Sequence, residues 1–215
     1  MNDSFRHQGM RKQLVALLQQ KGIDDEAVLQ AIGKVPRHLF LDSSFEAYAY
    51  QDKAFPIAAG QTISQPYTVA FQSQHLRVKP GMKVLEVGTG SGYQAAVLLE
   101  MGCKVYTVER QIALFQFAKG LLNKLGYRPV MSYGDGYKGL PSYAPFDRVI
   151  VTAAAPQIPE ALLSQLKVGG HMLIPVGPEN DVQRMLELTR SDQQTIEQRD
   201  LGPFRFVPML EDRQR

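Results

Sequence analysis

The sequence predicts an α/β fold: a doubly wound, mostly parallel sheet with an N-terminal helical extension and an antiparallel C-terminal edge. Three observations lead there. From Lys83 onward, short runs rich in β-branched residues alternate with helical stretches of about 10–15 residues, the pattern of a parallel sheet covered on both faces. The first strand-to-helix turn carries Gly88-x-Gly90-x-Gly92, glycines placed where the chain turns sharply out of a strand. The stretches 183–189 and 195–201 alternate polar and apolar residues around Arg190-Ser191-Asp192-Gln193, which reads as a hairpin at the sheet edge.

The elements follow in order. Leu14, Val15, Leu17 and Leu18 recur at helical spacing over residues 11–21, and Gly22 supplies a stop. Asp24 or Asp25 caps a second helix carrying Val28, Leu29 and Ile32, ended by Pro36. Phe40, Phe45, Tyr48 and Tyr50 are expected to pack these helices onto the main body. Residues 55–66 lose all periodicity, and a helix resumes over 66–76. Strands are then predicted at 84–87, 104–108, 129–133, 148–152 and 171–176. Helices are predicted at 93–101, at 112–125 with an apolar stripe from Ile112 to Leu125, and near 159–166. We read one compact unit, in which residues 1–80 form the extension and an active-site loop and residues 81–215 form a cofactor-binding core.

Composition narrows the function by exclusion. Of 215 residues, 44% are hydrophobic and 21% charged, ordinary for a globular protein. The net charge of +3 comes from scattered basic residues without a stripe, so no nucleic-acid partner is expected. No apolar run approaches the ~18 residues that span a bilayer, so no membrane partner is expected either. Arg6, His7, Arg11 and Lys12 precede only a short apolar run and do not resemble a signal peptide, which points to a cytoplasmic protein, with a monomer favoured. Cys103 stands alone, and His7, His38, His75 and His171 lie far apart in sequence, so no metal is expected.

The sharpest signal is Glu86-Val87-Gly88-Thr89-Gly90-Ser91-Gly92. Glu109, at the end of the next strand, lies 17 residues after Gly92, near the ~20 expected for a carboxylate that accepts ribose hydroxyls. The spacing differs from the G-x-G-x-x-G of dinucleotide sites. Glu86 would repel a pyrophosphate, yet could hold a cationic amino-acid moiety. The ligand favoured is one carrying an ammonium and a sulfonium, which S-adenosylmethionine does. Asp135, in Gly134-Asp135-Gly136 after the third strand, is placed to accept an adenine amino group, although Asp-Gly pairs also make plain turns. A nicotinamide-dependent oxidoreductase is disfavoured by the glycine spacing and Glu86.

From about Pro36 to Met209 the sequence resembles the protein-L-isoaspartate (D-aspartate) O-methyltransferases. The resemblance rests on Gln61-Thr62-Ile63-Ser64-Gln65-Pro66, the glycine loop and Gly134-Asp135-Gly136. It extends through Pro145-Phe146-Asp147, Val151-Thr152-Ala153, Gly169-Gly170, Pro175-Val176-Gly177 and Phe206-Val207-Pro208. Tyr137 and Leu210 depart from the family pattern. The resemblance implies a Rossmann-like methyltransferase fold. It also implies transfer of the methyl group of S-adenosylmethionine to the free α-carboxylate of L-isoaspartyl residues in damaged proteins, leaving S-adenosylhomocysteine. It implies cofactor contacts from Gln61, Thr62, Ile63, Glu86, Gly88, Gly90, Ser91, Glu109, Arg110, Asp135 and Gly136, and a catalytic role for Ser64. Read on its own, without the resemblance, Ser64 is better suited to cap the helix that begins at Pro66. The substrate is expected to enter between residues 58–64 and 204–209. A methyltransferase of the same fold acting on RNA or a small molecule is the alternative.

Overall fold

In the computed structural model, which describes residues 3–179 and 181–214, two helices open the chain. Helix α1 (Phe5–Gln20) starts at the Ser4 cap, whose hydroxyl accepts the His7 N–H at 3.3 Å. It begins six residues earlier than the apolar spacing indicates, because its first turn is polar apart from an exposed Phe5 and leaves no periodic trace. Helix α2 (Glu26–Lys34) is capped by the Asp25 carboxylate, which accepts from Ala27 and Val28. Two 3₁₀ turns (Arg37–Phe40 and Ser43–Tyr48) lead to a small antiparallel pair, β1 (Phe55–Pro56) and β2 (Thr62–Ile63). Helix α3 (Pro66–His75) follows.

The core then alternates: β3 (Lys83–Val87), α4 (Tyr93–Glu100), β4 (Lys104–Glu109), α5 (Ile112–Lys124), β5 (Val130–Tyr133) and β6 (Phe146–Val151). Next come α6 (Glu160–Ser164), β7 (Leu166–Val176), β8 (Gln183–Arg190) and β9 (Ile196–Phe204). The seven strands lie in the order β5-β4-β3-β6-β7-β8-β9. Pairing is parallel from β5 to β7 and antiparallel for β7–β8 and β8–β9, as the alternation predicts. The last helix is shorter than predicted and β7 begins five residues earlier, at Leu166, which pairs with Phe146 ahead of a register shift.

Alternate residues of the strands feed two cores, since successive side chains leave a strand on opposite faces. Val84, Ile150 and Leu173 join Leu18, Ile32, Val69 and Leu98 on one face. Leu85, Val149 and Met172 join Leu162 and Phe146 on the other. The N-terminal helices therefore share a core with the sheet. Two bonds add to this: Gln72 of α3 donates to the Val151 carbonyl at 3.0 Å, and Arg148 of β6 donates to the Leu76 carbonyl at 2.7 Å. The chain runs from β3 outward to β5 and then returns to β6, so the order reverses beside β3. In such sheets the ligand crevice lies outside the carboxyl ends of the strands at that reversal.

Candidate active site

A cavity opens there, lined by the loop after β3, by Val108 and Glu109 at the end of β4 and by Thr152 just beyond β6. Its floor is the loop after β3. Gly88 holds φ +94°, and a Cβ there would sit 2.5 Å from the Thr152 hydroxyl, so both the turn and the close approach exclude a side chain. Thr152, at the end of β6, reaches the Val87 and Gly88 carbonyls at 3.0 and 2.7 Å and locks the loop from beneath. Glu109 locks it from the side. One carboxylate oxygen accepts the Gly90 N–H at 2.9 Å and the other the Gln111 N–H at 2.8 Å. Each oxygen keeps a lone-pair direction for a further donor, and Glu109 lines the cavity.

Of the residues named from sequence, Gln61, Thr62, Ile63, Ser64, Gly88, Gly90, Ser91, Glu109, Arg110 and Gly136 line the cavity. Gly136 does so because a Cβ would lie 2.6 Å from Val87 and 3.3 Å from Met209, leaving no room for a side chain.

Three expectations change on inspection of the geometry. Glu86 is fully buried and lies outside the cavity wall, so it is not placed to hold the ligand's amino group directly. Its two oxygens make no well-formed hydrogen bond. Burial, reinforced by Glu109 and opposed in part by the Thr107 hydroxyl, pushes its carboxyl up to about 8. Asp135 also stays out of the wall: its carboxylate caps its own turn, accepting the Tyr137 N–H at 2.9 Å and pairing with Lys138 at 3.3 Å. Arg110 reaches the cavity, and three of its five N–H donors go to the C-terminal tail, at the carbonyls of Glu211 and Asp212 and the side chain of Gln214.

Ser64 does not cap α3. The N-cap position is Gln65, which contributes no side-chain cap, and none of the hydrogen bonds among the described residues involves the Ser64 hydroxyl. The hydroxyl is thus not consumed by the helix. Sequence reasoning missed Gln111, Leu114 and Thr152, and Val207, Pro208 and Met209, which it assigned to the substrate side, line this same cavity. Only the Pro-marked end of the chain hinted at this.

His7 and His38, distant in sequence, stack at 3.8 Å beside Asp3, with potential metal-ligand atoms within 4.8 Å of one another. Asp3 is already held through two bonds by Arg11, at 2.8 and 3.1 Å. The ring planes lie 24° apart, and stacked, nearly parallel imidazoles cannot both bring an in-plane lone pair to one ion. No helix among the described residues is long and apolar enough to cross a membrane.

A glycine loop, an acid at the end of the second core strand and a crevice at the sheet's reversal define an S-adenosylmethionine-dependent methyltransferase. The donor set fits: a carboxylate with spare acceptor capacity for a ribose diol, backbone without side chains around the loop, and apolar Val108, Leu114 and Met209 for a purine. The sequence profile of the Protein-L-isoaspartate(D-aspartate) O-methyltransferase family matches residues 9–214, and the chain belongs to that family. A protein-L-isoaspartate O-methyltransferase of Christiangramia forsetii is 63% identical over 99% of this chain and 100% of that protein. One of Flavobacterium johnsoniae is 62% identical over the same shares. A solved protein-L-isoaspartate O-methyltransferase superposes with a TM-score of 0.84 at 28% identity, covering 92% of this chain and 65% of that one. A Plasmodium falciparum structure, described as a putative member in complex with S-adenosyl-L-homocysteine, gives 0.82 at 26% identity over 94% and 99%. The enzyme methylates the free carboxylate of isoaspartyl residues in proteins.

Proposed function

We propose that Ser64 orients the isoaspartyl carboxylate for attack, and the carrying observation is that Ser64 lines the cofactor cavity while Gln65, not Ser64, holds the N-cap position of the helix behind it. The substrate carboxylate, of pKa ~3.5, is ionised at neutral pH, so no general base has to create the nucleophile. The protein's task is alignment and exclusion of water. S-adenosylmethionine, when bound, supplies an electrophilic methyl group on a sulfonium. In this reading Glu109 accepts the ribose hydroxyls, the Gly88–Ser91 backbone lies against the amino-acid tail, and Gln61, Thr62 and Ile63 close the near side. Glu86 and Asp135 act from outside the wall, the first beneath the loop and the second by setting Gly136 against the ligand. Residues 61–64 and 207–210 line one cavity, which supports substrate entry between those two segments.

The substrates are isoaspartyl-containing peptides and proteins, with no nucleic acid and no membrane involved. The setting we infer is the cytoplasm, with the enzyme a monomer, and sedimentation of the purified protein tests the latter. Methyl transfer to an isoaspartyl peptide and to its aspartyl twin tests the activity. Only the first is expected to be labelled, and equal labelling would overturn the reading. Ser64→Ala is expected to lower kcat/KM about 10–100-fold while leaving the S-adenosylmethionine Kd within about threefold.

A further inference from the structure

We infer that Asp52 is a positioning residue for Ser64, an inference that rests on the role proposed for that hydroxyl. Helix α3 starts immediately behind Ser64 at Pro66, and its own N-cap residue leaves the first turn without a side-chain acceptor. Free N–H groups at a helix start need a partner. They find it in tertiary structure. The Asp52 carboxylate accepts the Tyr67 N–H at 2.7 Å through one oxygen and the Gln65 side-chain amide at 3.0 Å through the other. Gln65 is the residue that joins Ser64 to the helix, so one carboxylate holds both the helix end and the link to the catalytic loop.

The carboxylate is itself held in place. Its side chain is only 5% exposed, and Lys21 at the end of α1 pairs with it at 2.6 Å. Its backbone is fixed by Arg37, which is fully buried and donates to the carbonyls of Ala49 and Lys53 on either side of Asp52, at 3.0 and 3.3 Å. Arg37 also lies over the ring of Tyr93, 4.9 Å from its centroid, and Tyr93 opens α4 and lines the cofactor cavity. The N-terminal extension thus sets the Ser64 turn against the same helix that carries the glycine loop.

Asp52→Ala, Asp52→Asn, Ser64→Ala and the Asp52→Ala/Ser64→Ala double variant, assayed as full chains on an isoaspartyl peptide, test this. Asp52→Ala is expected to lower kcat/KM about tenfold, mainly in kcat, with the S-adenosylmethionine Kd within about threefold. Asn retains an acceptor for Tyr67, so Asp52→Asn is expected to recover most of that loss. The double variant is expected to lie within about twofold of Ser64→Ala alone, since a loop without its hydroxyl has nothing left to position. Full activity of Asp52→Ala, or a further tenfold loss in the double variant, would overturn the inference. If Asp52→Ala does not fold by its thermal transition, Asp52→Asn alone and combined with Ser64→Ala decides on the same coupling. Full activity of Ser64→Ala alone marks failure of the Ser64 reading. If Asp52→Ala is then impaired, Asp52 acts by another route and the positioning inference falls separately.

Discussion

At Glu86 the sheet encloses a carboxylate completely, and its pKa, pushed up to about 8, ties proton uptake to folding. The group ionises at ordinary carboxylate pH in the unfolded chain but keeps its proton in the folded one. Stability should therefore fall as pH rises from the usual carboxylate range to about 8, and be flat in this term on either side. Glu86→Gln removes the titration. At pH 8 it is expected to be more stable than the parent by about 3–4 kcal/mol, with most of the advantage gone at pH 5, as urea unfolding at both values would show. A variant equally destabilised at both values would refute a protonated Glu86. Gly88→Ala should act oppositely: φ +94° and the Thr152 hydroxyl at 2.5 Å oppose a methyl group. A loss of about 1–2 kcal/mol is expected, with cofactor affinity down at least about tenfold by calorimetry.

Among the elements, the C-terminal tail most changes the picture of the cavity. It bonds backbone to backbone with the end of β6, Ala154 accepting from Met209 at 2.7 Å and donating to Val207 at 2.8 Å. It then runs to Arg110, whose guanidinium takes three acceptors from residues 211–214, while the backbone of Gln214 bridges Arg110 and Ile112. Arg110→Ala is expected to loosen this strap and raise the S-adenosylmethionine Kd about 5–20-fold, chiefly through faster release in stopped-flow exchange, with little change in melting temperature. The sequence reading named Arg110 as a cofactor contact, and the residue lines the cavity. That its donors serve the tail is a long-range fact, and no local pattern encodes it. The same distinction runs through the other elements. The strand and helix alternation from β3 to β7 was legible because burial on both faces forces apolar runs. That Asp135 and Glu86 stand outside the cavity wall was not legible, because motif spacing locates a residue along the chain but not which way its side chain turns. The acceptor for the start of α3, Asp52, was not legible because it lies 15 residues away in sequence.

Across the whole molecule, the division at residue 80 is one of sequence texture, while packing crosses it. Leu18 and Ile32 share a buried cluster with Val84, Ala96 and Leu98, and α2 lies against both α3 and α4. Arg148 and Gln72 add polar ties across the same boundary, with Arg148 donating to the carbonyls of both Leu76 and Arg77. A small module with its own core would unfold by itself, but a helix pair whose apolar face is covered by the sheet's helices has no separate stable state. We therefore expect one cooperative transition. Ile32, fully buried in the extension, provides the probe: Ile32→Ala should cost about 2–4 kcal/mol. The loss should appear as an equal shift of the urea midpoint by far-UV circular dichroism and by release of bound S-adenosylmethionine, although Ile32 does not line the cavity. Excess cofactor should raise both midpoints together, by mass action on a single folded state. Two separated transitions, with cofactor release following only the later one, would show instead that the extension folds as a domain of its own and that its hold on the Ser64 loop can be lost without loss of the cofactor fold.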